Sequence, residues 1–318
     1  MRNFIGATFT LRLWAIFFSC LALFSLPATA LAQVLYVANY NDHSISAVSA
    51  NGTVTVFAQD AGISTPYGLA MDQTGNLYVA NAGNNSISKI TPGGVVSVFA
   101  SGGGLNNLAG LAINSAGELF VGNFGNSTVS KISTTGVITT YASGGGLSGI
   151  QALTINASGE LFVANSFNDP EYISKIDTLG TVTTFATGGN LSLPSGITFG
   201  DDGDLYVANN GNNTLSQINY LSGAVSTVAL SGSGTLNGPN GIVPDGHGGF
   251  FVSNYNNNTI EYVSSTGVIT DFASGASLDG PTALLYVAAA IPEPSTYGAL
   301  FGVITLVGVI IYRRRMAC

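Results

Sequence analysis

The sequence predicts an all-β fold, a six-bladed β-propeller of four-stranded blades, on three observations. A five-residue motif, apolar at its first three positions and closed by Asn, recurs six times, ending at Asn39, Asn81, Asn123, Asn165, Asn209 and Asn254. Its first residues are spaced by 42, 42, 42, 44 and 45 positions, a period suited to one propeller blade. Charge is scarce: 8% of the 318 residues are Asp, Glu, Lys or Arg, against about 25% in a typical soluble domain. The apolar excess sits at the two ends, and the interior is rich in Gly, Asn, Ser, Thr and Val. That interior excludes a coiled coil, a polytopic membrane protein and a disordered acidic chain.

The elements follow in chain order. Residues 1–32 have the form of a secretory signal peptide. Arg2 and Arg12 charge its start, Leu13 to Leu26 is apolar, and Ala28-Thr29-Ala30 and Ala30-Leu31-Ala32 are small-x-small sites for signal peptidase. Cleavage after Ala32 would start the mature chain at Gln33.

Residues 33–290 carry the repeats, and the second unit shows their grammar. Tyr67 to Met71 is a short apolar strand. Asp72-Gln73-Thr74-Gly75 is a turn with Asp first and Gly last, as type I turns prefer. Leu77 to Ala80 is apolar on both faces, as a strand packed between neighbouring blades must be. Asn81 to Asn85 turns the chain, Ser86 to Ile90 is the third strand, and Pro92-Gly93-Gly94 turns it again. Val95 to Ala100 is the outer strand, and Ser101 to Gly104 cross to the next blade.

Unit one begins directly at its second strand, Leu35, while one strand, Pro281 to Val287, is left over at the far end. The C-terminal strand is therefore expected to complete the first blade and close the ring, which removes open sheet edges.

Each repeat has a further likeness. Gly75-Asn76-Leu77-Tyr78-Val79-Ala80-Asn81 followed by Asn84-Asn85-Ser86-Ile87 resembles the unit of NHL-repeat propellers, with Asn in place of that family's Asp and Ser in place of its Arg. The resemblance covers all six units. It implies kinship with gluconolactonase-like enzymes, which hold a metal in the central channel with Glu, Asn and Asp, and with streptogramin lyase-like enzymes. Fold alone does not choose among such functions.

The C-terminal segment 291–318 opens with Pro292-Glu293-Pro294. Ser295 to Tyr312 is 18 mostly apolar residues, about 27 Å as a helix and enough for a thin bilayer. Arg313-Arg314-Arg315 follows and would hold that end in the cytoplasm. This order of motif, transmembrane helix and Arg cluster resembles the PEP-CTERM sorting signal of Gram-negative bacteria. The resemblance implies recognition and cleavage by an exosortase, transient residence in the inner membrane, and a final address at the cell surface or in a biofilm matrix.

Both cysteines, Cys20 and Cys318, lie in the terminal segments, so the repeat domain has no thiol chemistry. Segment 33–290 has three Lys, no Arg and 15 acidic residues, a formal charge of −12. Nucleic-acid binding rests on neutralising phosphates, commonly about 6–10 of them, so nucleic acid is excluded as a partner. No nucleophile elbow, zinc helix or phosphate loop is present. His43 and His247 fall in turns at opposite ends of the strands and cannot share a site.

The six recurring Asn would form a ring around the axis. Their presence in every blade favours a structural role, satisfying backbone groups near the turn, over a ring of ligands. Departures from the repeat are more informative. The loop after Asn165 is two residues longer than its counterparts and reads Ser166-Phe167-Asn168-Asp169-Pro170-Glu171-Tyr172. The crossover after blade five, Val228 to Gly241, is also two longer. Both insertions are expected on one face. The first supplies a candidate ligand site, with Phe167 and Tyr172 as contact surface and Asp169 and Glu171 as carboxylates that could hold Ca²⁺. No cofactor is otherwise required. The leading expectation is a non-enzymatic propeller that binds or scaffolds extracellular polysaccharide or protein. The alternatives are a metal-dependent lactonase- or lyase-like enzyme and a purely structural matrix protein.

Overall fold

The computed structural model describes residues 34–167 and 171–288. The expected signal peptide, Asp169, and the sorting residues Pro292, Glu293, Pro294, Arg313, Arg314 and Arg315 lie outside the described residues. Within them are 25 strands and no helix. The strands form six antiparallel sheets of four, one of which gains a fifth, two-residue strand. The second unit runs Pro66–Met71, Leu77–Asn81, Ser86–Ile90 and Val96–Ser101, within a residue of the expected bounds.

Blade one is completed by the C-terminal strand. Pro281–Val287 pairs antiparallel with Val34–Asn39, Leu35 opposite Tyr286 and Val37 opposite Leu284. The Thr282 hydroxyl, fully buried, donates to the carbonyls of Ala38 and Pro66 and so ties the closing strand to blades one and two.

The second strands are buried along their length in blades two, three, four and six, because each lies between two neighbouring sheets. An aromatic pair recurs there: Tyr36 with Phe57, Tyr78 with Phe99, Phe120 with Tyr141, and Phe162 with Phe185, all edge-on with centroids 4.9–5.0 Å apart. Lys89, Lys131 and Lys175 lie opposite Tyr78, Phe120 and Phe162 and cover those rings with their ammonium groups. Lys131 and Lys175 also pair with Glu118 (2.8 Å) and Glu160 (2.7 Å). The few cations of the domain are thus engaged in structure.

The inner strands approach closely around the axis. A Cβ on Gly68 would lie 2.5 Å from the Ala109 carbonyl oxygen, and one on Gly110 would lie 2.6 Å from Ala152 Cα. Only glycine permits that approach.

The longer crossover after blade five has a structural destination. The outer strand of blade five stops at Val225–Thr227, and Ser231–Gly232 pairs in parallel with Val268 and Ile269 of blade six. Ser231 and Gly232 thereby extend the sheet of blade six.

Candidate functional site

The recurring Asn side chains build the frame of one end of the ring. All six are fully buried. Each Oδ1 accepts the N–H of a crossover residue: Ser64 for Asn81, Asn106 for Asn123, Ser148 for Asn165, Ser192 for Asn209 and Asn237 for Asn254, at 3.0–3.3 Å. In blade one the acceptor is Asn39 and the donor is Asp279, at 3.4 Å. In five blades Nδ2 donates to a Ser on the third strand at 2.8–2.9 Å: Ser46, Ser88, Ser130, Ser174 and Ser216. The amides are structural, as expected, but they fasten the preceding crossover as well as their own turn.

A second set of fasteners ends each loop. The Thr65 N–H donates to His43 Nδ1 (2.7 Å), Asn107 to Asn85 (2.6 Å), Gly238 to Asn213 (2.7 Å) and Gly280 to Asn258 (2.8 Å). Ser127 holds Gly149 in the same way at 3.3 Å, and Glu171 Oε1 holds Leu193 at 3.4 Å. Five of these acceptor residues have φ of 54–58°, a left-handed conformation that Asn tolerates best among side-chain-bearing residues.

What this frame presents on the axis is the residue after each Asn. Tyr40, Ala82, Phe124, Ser166, Asn210 and Tyr255 surround a mouth of about 480 Å³, within the ~300–1,000 Å³ range of small-molecule sites. The floor comes from the second residue of alternate inner strands. Tyr67 of blade two donates its hydroxyl to Gln151 Oε1 of blade four and accepts from Asn240 Nδ2 of blade six at 3.4 Å. Three side chains thus meet across the channel.

Aromatic rings stand above the floor. Tyr40 packs edge-on against Tyr67 and Tyr255, each at 6.2 Å, and Phe124 against Phe167 at 4.7 Å. Phe167 remains 64% exposed. No carboxylate, imidazole or ammonium lines this mouth among the described residues. Burial pushes the Tyr67 phenol up to about 12, so it stays protonated and is no base at neutral pH.

Of the candidate site in the long loop, the structure brings Phe167 to the mouth. Glu171 is an interblade fastener and Tyr172 donates its hydroxyl to the Gly146 carbonyl; neither lines the mouth. Asp169 lies outside the described residues. Among those described there is no group of three His, Cys, Asp or Glu able to hold a metal. The channel lining, Gly, Ala, aliphatic and hydroxyl residues with Gln151 and Asn240, contains no carboxylate and does not fit a metal held by Glu, Asn and Asp. The ring of residues after Asn was missed from sequence. Its signal was available: it is a variable position between a fixed Asn and a polar loop.

Six four-stranded blades closed by the last strand define a propeller of the NHL and streptogramin-lyase type. The chain belongs to the virginiamycin B lyase family, whose profile matches residues 106–288, more than half of its length. Among solved structures, a chain of the nidogen–laminin complex is similar with a TM-score of 0.70 and 15% identity, covering 81% of this chain and 99% of that one. A catalytically inactive histidine-to-alanine variant of virginiamycin B lyase from Staphylococcus aureus, with quinupristin, is similar at 0.62 and 17% identity, covering 83% and 94%. A protein of unknown function from Bacteroides caccae is similar at 0.65 and 14% identity, covering 80% and 99%. At these identities the likenesses show the fold. No curated protein matches the chain.

Proposed function

We propose that this protein is an exported, non-enzymatic propeller that binds a neutral saccharide of the extracellular matrix at its aromatic mouth. The observation that carries the reading is the lining: rings of Tyr and Phe around a floor of Gln151, Asn240 and Tyr67, with no charged group among the described residues. Pyranose rings rest their C–H faces on aromatic rings while their hydroxyls take hydrogen bonds from amides and phenols, and a few placed polar groups fix orientation in such sites. The formal charge of −12 on segment 33–290 repels polyanions and favours an uncharged ligand. Export is supported by the signal peptide over 1–32 and the sorting segment over 291–318. Signal peptidase and an exosortase would process the chain, leaving it at the surface of a Gram-negative cell or in its matrix.

The test is a glycan array of neutral saccharides probed with the full chain and with Tyr255→Ala. Saturable binding weakened at least about tenfold by the substitution, or about 1.4 kcal/mol, is expected. Absence of binding across the array would overturn the reading.

The family relationship suggests an enzyme as the alternative. General acid–base chemistry needs a titrating group within reach of the reacting proton. Both histidines are placed elsewhere: His43 holds Thr65, and His247 Nδ1 lies 3.1 Å from the Asp245 carbonyl in a turn between inner and second strands. Incubation with a streptogramin B antibiotic such as quinupristin is expected to leave the antibiotic intact by mass spectrometry. Turnover would move the protein to the lyase class.

A further inference from the structure

The distribution of aromatic rings around the rim specifies how a saccharide would lie in the mouth. Neighbouring inner strands touch in chain order around the ring, with the closing strand of blade one between blades six and two. Blades two and five therefore face each other across the axis. The rim residue is a large aromatic in blades one, three and six, and Phe167 adds a fourth ring from blade four. Blades two and five carry no ring at this position: Ala82 and Asn210 stand there, and in blade five the exposed Leu193 lines the mouth beside Asn210. The rim thus has two aromatic walls, Tyr40 with Tyr255 and Phe124 with Phe167, separated by two ring-free gaps opposite one another.

We infer that the mouth is a through-running groove that takes an internal segment of a linear neutral polysaccharide, entering over Ala82 and leaving over Asn210. The groove rests on the saccharide reading of the mouth. A site for a chain terminus would be walled all round. The floor suits a passing chain. The Tyr67 hydroxyl proton goes to Gln151 Oε1 and its oxygen accepts from Asn240. This leaves Gln151 Nε2 as a donor and Asn240 Oδ1 as an acceptor, neither engaged by another described residue. One donor and one acceptor side by side match the hydroxyls of a sugar unit. The lining, neutral among the described residues, and the acidic domain select an uncharged polymer.

The experiment is calorimetric titration of the full chain with gluco-, galacto- and manno-oligosaccharides of two to six units. Each is used intact and with both ends blocked as a methyl glycoside and a terminal methyl ether. For the series that binds, affinity is expected to rise at least about tenfold from dimer to hexamer, and blocking the ends of the hexamer to change it less than about twofold. The double variant Ala82→Phe, Asn210→Tyr places a ring in both gaps. Its new residues are those the same position carries in blades three, one and six, so the frame accommodates them. It is expected to lower hexamer affinity at least about tenfold and bring the hexamer-to-dimer ratio toward one, with an unchanged melting temperature. Length-independent affinity, loss on end-blocking, or an unaffected double variant would each overturn the groove while leaving a saccharide site in place. If no series binds, the saccharide reading fails and the groove with it.

Discussion

Replacing Asn81 by alanine is expected to destabilise the propeller by about 2–4 kcal/mol, because more than one backbone group loses its partner and each buried loss costs about 1–3 kcal/mol. Asn81 is fully buried; Oδ1 accepts from the Ser64 N–H at 3.1 Å, and Nδ2 donates to Ser88 Oγ at 2.8 Å and to the Ser86 carbonyl at 3.2 Å. Alanine supplies neither donor nor acceptor. The damage spreads from the blade to the crossover, since Ser88 in turn donates to the Gly62 carbonyl at 2.6 Å. Urea unfolding of the two proteins checks this. A surface control, Asn51→Ala in an exposed turn, sets the scale and is expected to cost less. An Asn81→Ala midpoint equal to that control would show that water replaces the amide and that the frame rests on packing alone.

How far the sequence reached is best seen at these same positions. The period, the strand bounds and the closure of blade one were legible because the apolar second strand and a turn closed by Gly, at Gly75, Gly117, Gly159, Gly203 and Gly248, repeat in register. The role of the recurring Asn was legible in kind, since a ligand contact has no reason to appear six times. Its partners were not, because the crossover residue it holds lies 17 positions upstream in five blades and at Asp279 in the sixth case. The NHL likeness takes a physical meaning here. Where that repeat has Asp and Arg, this chain has Asn81 directly opposite Ser86, with Nδ2 3.3 Å from Ser86 Oγ. Both positions are neutral here and joined by a hydrogen bond, in keeping with the low charge of the chain. The mouth was hidden for the opposite reason. Tyr40, Ala82, Phe124, Ser166, Asn210 and Tyr255 share no single residue type, and their shared position in a ring makes them a site. Glu171 drew notice as an insertion, yet it occupies the fastening position that His43, Asn85, Ser127, Asn213 and Asn258 fill in the other blades.

One blade breaks the neutral pattern, and there the protein's stability is expected to fall as pH rises. Where five blades place Ser on the third strand, blade six has Glu261, 1% exposed. Its Oε1 accepts from Thr259 at 3.1 Å and from Asn254 at 3.4 Å. Its Oε2 is buried without a hydrogen-bond partner among the described residues, and a Cβ on Gly234 would lie 2.6 Å from it. Burial raises the Glu261 pKa, and the neighbouring Asp271, its cross-strand partner, raises it further. A carboxyl whose folded value lies above the unfolded one, about 4.3, stabilises the fold fully below that unfolded value and loses the contribution as pH climbs through the folded value. Asp72 acts in the opposite sense: burial pushes it up, but hydrogen bonds from Asn76 and Thr74 outweigh that and hold it down to about 2. It stabilises above its unfolded value and loses that contribution as pH falls. The parent curve therefore mixes both signs, and the difference from Glu261→Gln isolates one. The glutamine stays neutral and brings a donor where Oε2 has none. Below about pH 4 the two proteins should melt together. At pH 8 the variant should be more stable by about 1–3 kcal/mol, the cost of a buried polar group without a partner, or about 2–4 °C per kcal/mol for a domain of this size. If Glu261→Gln instead melts lower than the parent at pH 8, the ionised carboxylate is stabilised in the fold and the orphaned oxygen has a partner after all.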